Sequence, residues 1–286
     1  MIPDRIAPEE NLGKRLRGPD FVQSLERGLA VILTFGPDRP ELTLAEVAKG
    51  AGLTRAAARR FLLTLVELGY VRNEGRLFSL RPRVLELGYA YLSGLSLAEV
   101  AQPLVEEFVS AIHESSSICV LDGDDVVYVV RVPTKRIMTI SISVGTRFPA
   151  YCTSMGRVLL ANQSDDEIER YLAEVRFEPR TQQTVFRPKE LRAILIDVRE
   201  SGYALIDQEM EDGLRSVAVP VRDASGRVIA AMNVSVNSHR VTIQELREEI
   251  LPQLRQAANR IEDDLHGKDH LKTRAVPRKA ANRSNS

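Results

Sequence analysis

The chain has 286 residues, 44% of them hydrophobic, with 39 basic and 39 acidic side chains. That composition supports a packed core and argues against global disorder, and the length allows two ordinary domains. Two cysteines, Cys119 and Cys152, supply neither a disulfide framework nor metal spacing, and no run approaches the ~18 apolar residues of a membrane span.

The zero net charge hides a segregation. Residues 94–267 hold 19 basic and 27 acidic side chains, whereas residues 53–83 hold 7 and 2. One compact region can therefore attract a polyanion that the rest of the chain repels. Residues 1–19 carry prolines, glycines and charges without periodicity and read as a flexible arm. They lack the apolar core of a signal peptide, so a soluble cytoplasmic protein without a membrane partner is expected.

A first helix is predicted after Asp20, with Leu25, Leu29, Ile32 and Leu33 on one face. "FGPDRPE" ends it. Thr43 and Glu46 then form a capping box, in which each residue satisfies a backbone N–H near the other. "GAG" at 50–52 allows a tight turn, and Thr54 can cap the next helix. There Ala58, Phe61, Leu62, Leu65 and Leu68 make a buried stripe, and Gly69 ends the helix. "YVRNEGRLFSL" alternates around an Asn-Glu-Gly turn and reads as a β-hairpin.

Helix, small-residue turn, helix and hairpin together make a winged helix-turn-helix over residues 20–82. Its second helix would read double-stranded operator DNA with its first turns. Thr54, Arg55, Ala56, Arg59 and Arg60 lie there, off the buried stripe. Arginine grips guanine edges or phosphates, and the alanines permit close approach. Arg72 and Arg76, on the hairpin, would meet the DNA backbone or minor groove. A merely solvated basic face would leave the capping box, turn, hairpin and charge segregation as coincidences.

A helix from about Arg83 to Gly94 is expected to link the halves, within a linker spanning 83–98. Beyond it, residues 99–267 mix strands and helices. "SICVLDGDDVVYVVRV" reads as two strands around a turn, and "IMTISISV" and "GYALIDQEM" as further strands. "TSMGRVLLAN", "SDDEIERYLAEV" and "PKELRAILIDVRES" read as helices. "SVAVPVRDASGRVIAAMNVSV" is a hairpin turning at Asp223–Gly226, and a final amphipathic helix runs from Thr242 to Leu265. The class is α+β, with helices covering a mainly antiparallel sheet. Residues 268–286, with 6 basic and 1 acidic side chains, are too polar to pack and read as a basic disordered tail.

Three segments, "SLERGLAVILTF", "FPAYCTSMGRVLLA" and "GYALIDQEMEDGLRSVAVPVRDASGRVIAAMNVSV", together resemble the isocitrate lyase regulator (IclR) family of bacterial transcription factors. "AYCTSMGRVLLA" and "DQEMEDGLRSVAVP" are most similar to its branch controlling aromatic-acid catabolism, the protocatechuate and β-ketoadipate regulators. The resemblance implies a GAF-like effector domain, a homodimer made through the N-terminal domain, and often a homotetramer. It implies a small organic acid effector: β-ketoadipate, or an aromatic acid such as protocatechuate or 4-hydroxybenzoate. Carried across by motif, the effector-binding positions are Ser154, Met155, Ser216, Asn233 and Ser235. Several relatives have cysteine where Ser216 stands and serine at Asn233, and glyoxylate-type relatives have aspartate where Ile206 stands, which argues against a glyoxylate-like ligand.

The residues agree in part. A helix starting at Thr153–Ser154 presents free N–H groups that favour a carboxylate. Asn233 and Ser235, two apart on a strand, share a face. Met155, Val217 and Val234 are the apolar neighbours expected to close the site, although Val217 and Val234 alternate onto the opposite face.

An enzyme is the rival class. No His-x-x-x-His or Cys-x-x-Cys spacing suggests a metal, no glycine-rich phosphate loop occurs, and Cys152 with His113 has no context for a catalytic dyad. "DGDD" at 122–125 lacks the rest of a calcium loop. No catalytic residue, metal or cofactor is therefore assigned. The alternatives that stand are a regulator of another carbon-source pathway and a DNA-binding architectural protein without a ligand.

Overall fold

The computed structural model describes residues 20–36, 38–88, 96–134 and 142–274, with side chains from 97 and up to 266 at the outer limits of the last two segments. The chain divides between Tyr91 and Leu92 into two compact units.

In the N-terminal unit, α1 (Gln23–Leu33), α2 (Leu44–Gly50) and α3 (Arg55–Glu67) surround a core of Val31, Phe35, Val47, Leu62 and Leu65. The predicted capping box opens α2: the Thr43 amide donates to Glu46 Oε2 at 2.8 Å, and the Glu46 amide to Thr43 Oγ1 at 3.4 Å. Gly52, at φ +64°, makes the turn into α3, which is the left-handed conformation glycine adopts without strain.

The wing pairs β2 (Val71–Glu74) with β3 (Leu77–Leu80), turning at Gly75–Arg76, one residue later than expected. An unforeseen β1 (Glu41–Thr43) adds a third strand through Leu42↔Phe78. Three residues before a capping box are too few to show alternation, so β1 exists only by pairing. Leu68, expected in the buried stripe, caps α3 and is half exposed. The face of α1 picked out by periodicity is also open, with Leu25 63% and Leu33 76% exposed; its buried contact is Val31.

The expected linker helix begins with a 3-10 turn at Pro82–Val84 and continues to residue 88; its remainder lies outside the described residues. Unforeseen is α4 (Ser96–Ile112), which carries Pro103 inside it. Proline removes one helical hydrogen bond and reads as a break. Here it lies on the exposed face, while Leu97, Val100, Ala101, Val105 and Phe108 are buried opposite.

The C-terminal unit is built on β4 (Ser115–Asp122), β5 (Asp125–Val132), β6 (Arg147–Pro149), β7 (Ala204–Asp207), β8 (Leu214–Arg222) and β9 (Val228–Asn237), in the order β6-β5-β4-β9-β8-β7, antiparallel throughout. The strand expected from "IMTISISV" is not one where described: residues 142–144 are irregular, and 137–141 lie outside the described residues. Pro220 sits mid-strand in β8, beyond the end of the short β7, so its missing N–H costs no ladder bond.

Alternation divides the sheet. Ile118, Val217, Val219, Met232 and Val234 pack on α4 and on α8 (Leu251–Arg274). The backbone of α8 stays helical through residues 268–274, assigned to the disordered tail by composition, because an established helix propagates one hydrogen bond per added residue. Cys119, Ala204, Ala218 and Ala231 face α5 (Ser154–Ala161), α6 (Asp165–Glu174) and α7 (Pro188–Ser201). The result is a three-layer α+β unit. The small residues of the second face let α5 lie close to the sheet.

Candidate functional site

Thr54 Oγ1 accepts the Ala57 amide at 3.2 Å and so fixes the start of α3. Arg55, Ala56, Arg59 and Arg60 are exposed in its first two turns, and Ala58, Leu62 and Leu65 are buried behind them. No acid occupies the first turn. Among the described residues, none of Arg55, Arg59, Arg60 and Arg76 makes an ion pair. Arg72 meets Glu74 at 3.2 Å with both side chains exposed, a contact worth at most about 1 kcal/mol. Arg83, part of the basic run, serves the fold instead: it donates to the Leu68 carbonyl at 2.8 Å and lies over the Tyr70 ring.

The second candidate lies in the other unit, on the sheet face toward α5. Ser216 Oγ donates to Ser154 Oγ at 3.0 Å, joining β8 to the first residue of α5. Ser216 pairs across the ladder with Ile206 and with Ser235, and Ser235 with Ser115. Two residues along, Ala218, Asn233, Ser117 and Arg131 form the next row across β8, β9, β4 and β5. Asn233 accepts the Ser117 amide at 3.1 Å and donates to Ser235 Oγ at 3.0 Å. The five expected effector positions therefore meet around one surface. Val217 and Val234 belong to the opposite core and do not wall it; Met155 and the buried Ile206 stand on its side.

Two features of this surface were not expected. Thr153 accepts the Gly156 amide at 3.1 Å, so the open donors of the first turn are those of Ser154 and Met155. Arg131 was missed altogether. Its Nη1 donates to Ser117 Oγ at 2.9 Å, and its Nε is buried without a partner. Burial works against its charge and holds its pKa below the ordinary value. Its sequence signal was a lone arginine next to the last residue of a largely apolar strand; that it faces Ser117 is set by the pairing of β4 with β5.

Behind the surface, Arg157 of α5 forms a bidentate pair with Glu209 at 2.8 and 2.6 Å. Cys152 is buried against Met210, and burial pushes its thiol up to about 11. It therefore stays protonated near neutrality and has no hydrogen bond to His113 among the described residues. Asp122 and Asp125, of the supposed calcium motif, are both bound by Arg147. Among the described residues no cluster of three metal-ligating side chains occurs, and no helix is long and apolar enough to cross a membrane.

Comparison with known proteins identifies the family of both units. Residues 24–75 match the family model of the IclR helix-turn-helix domain, and residues 89–263 that of the bacterial transcriptional regulator IclR C-terminal domain. The chain is 44% identical over 269 residues to the Pca regulon regulatory protein of Pseudomonas putida, covering 93% of this chain and 92% of that protein. It is similar to a transcriptional regulator of Rhodococcus sp. RHA1 of known structure, with 53% identity, a TM-score of 0.77, and 86% and 98% of the two chains covered. An IclR homolog from Microbacterium hydrocarbonoxydans, solved in complex with 4-hydroxybenzoate, aligns with 28% identity and a TM-score of 0.75, covering 85% and 98%.

Proposed function

The chain belongs to the IclR family of bacterial transcriptional regulators, and from that premise we propose that it controls genes of aromatic-acid breakdown in response to a small carboxylate. It is a DNA-binding regulator and not an enzyme. It acts in the cytoplasm on double-stranded operator DNA, which it grips through Thr54, Arg55, Ala56, Arg59 and Arg60 on α3, with Arg72 and Arg76 on the wing. The effector, an aromatic acid such as protocatechuate or 4-hydroxybenzoate, or β-ketoadipate, sits among Ser154, Met155, Ser216, Asn233 and Ser235.

The observation that carries the effector reading is the Ser216–Ser154 bond. It brings the start of a helix onto a row of polar side chains inside an otherwise apolar layer, where polar groups need partners. Ser216→Leu should abolish stabilisation by these acids and their effect on operator affinity, leaving operator binding by the free protein intact. For the unsubstituted protein, an acid at 100 times its dissociation constant should add about 2.7 kcal/mol of stability. A Ser216→Leu protein that still responds normally would place the effector elsewhere.

Arg55→Ala or Arg59→Ala should weaken specific operator binding by ~1–3 kcal/mol where the arginine reads a base. A loss equal on all sequences would make it a phosphate contact, and unchanged affinity at matched salt would remove it from the interface. Self-association fits the open apolar surface made by Phe21 and Val22 with Leu25, Leu29 and Leu33 of α1, because a dimer's two-fold symmetry matches paired half-sites. Light scattering should give at least twice the 31.9 kDa chain mass.

A further inference from the structure

We infer that Arg131 is the counter-ion of the effector's carboxylate, held ready by Ser117. This rests on the effector reading above and adds to it the group that binds charge and the direction in which the ligand lies.

Among the described buried and half-buried arginines of this unit, Arg131 is the one with no acid beside it. Arg157 faces Glu209, Arg215 faces Asp207, Arg147 faces Asp122 and Asp125, and Arg222 has the Glu262 charge nearby. Arg131 has no carboxylate among the described residues. Its hydrogen-bond partner is a serine hydroxyl, and its Nε is buried with none. The groups that act on its charge are the Tyr128 hydroxyl and the Cys119 thiol, and burial raises the pKa of both, so neither supplies an anion near neutrality. A half-buried cation whose Nε is enclosed without a partner is unfavourable, and that cost is reduced when a carboxylate arrives. Guanidinium offers several donors in a fixed fork. Nη1 is committed to Ser117 and Nη2 remains as a donor for a carboxylate oxygen, while the enclosed Nε becomes the adjacent donor for the second oxygen as the guanidinium turns toward the ligand.

Topology gives the direction. Ser117, which holds the guanidinium, is on β4, and Ser216 is on β8, with β9 between them. Two strand spacings across, about 10 Å, and a two-residue step along the strands, about 7 Å, put them about 12 Å apart. A ligand bound here would have its carboxylate at the Arg131–Ser117 end and a second polar group at the Ser154–Ser216 end. Asn233 and Ser235, bonded to each other, lie along its path.

The test measures dissociation constants by calorimetry with the full chain and three probes: 4-hydroxybenzoate, β-ketoadipate, and the uncharged 4-hydroxybenzamide. Arg131→Met should weaken at least one of the acids by about 30-fold or more, with Arg131→Lys recovering part of the loss. Affinity for the amide should be unchanged. The melting temperature of free Arg131→Met should equal or exceed that of the unsubstituted protein, because an uncompensated charge has been removed. Which acid binds tighter reports whether the far end takes a hydroxyl or a second carboxylate. The inference is overturned, and the site upheld, if Arg131→Met binds an acid normally while Ser216→Leu does not. It is overturned too if Arg131→Met melts several degrees lower and loses amide and acid in parallel, which is structural damage. If neither substitution weakens acid binding, or the unsubstituted protein binds neither acid, the effector site and the inference fall together.

Discussion

Glu209→Ala should destabilise the C-terminal unit by about 3–5 kcal/mol, the range for breaking a buried ion pair from one side. Glu209 takes two hydrogen bonds from the Arg157 guanidinium and a third from the Val185 amide at 2.8 Å, and the two side chains are 3% and 9% exposed. Removing the carboxylate leaves Arg157 charged and enclosed, tied only to the Tyr151 carbonyl at 2.9 Å. It also frees the segment at Val185 and the stretch joining β7 to β8. Replacing both partners with apolar residues of similar volume should cost much less than the single change, because no orphaned charge remains. Urea unfolding of the C-terminal transition checks this; single and double variants of equal stability would show that the pair contributes by packing and not by charge.

Gly156→Ala is expected to cost about 3 kcal/mol or more, at or beyond the upper end for overpacking. A Cβ on Gly156 would lie 2.1 Å from the Ala150 carbonyl oxygen and 2.4 Å from its Cα. Those atoms are backbone, so no rotamer change relieves the clash, and α5 must move off the turn at Ala150–Cys152. That displacement carries Ser154 away from Ser216, now bonded at 3.0 Å, so acid binding should weaken alongside stability. Gly28→Ala in α1 is the control: its Cβ would stand 3.8 Å from Phe61, an ordinary contact, and alanine there should gain up to about 1 kcal/mol of helix propensity. Thermal melts of the two variants should move in opposite directions. A Gly156→Ala protein as stable as the unsubstituted one would mean that α5 does not pack this closely.

The sequence by itself determined the elements whose cause is local. The Thr43–Glu46 box, the Thr54 cap and the turn glycine Gly52 are set by residues within a few positions of one another, and all stand where their spacing put them. So do the exposed arginines of α3, because a 3.6-residue period sorts them from Ala58 and Leu62. Ser154, Ser216, Asn233 and Ser235 came from motif resemblance, and alternation along β9 already put the last two on one face. Tertiary structure decided the rest. β1 is a strand only because β3 lies beside it. α4 holds its proline because packing on the sheet outweighs one lost hydrogen bond. Neither Arg131 nor the Arg157–Glu209 pair could be found by spacing. Fourteen residues separate Arg131 from Ser117, and fifty-two separate Arg157 from Glu209. Whether a charge is paired or left waiting depends on strand order, which composition and periodicity along one chain do not encode.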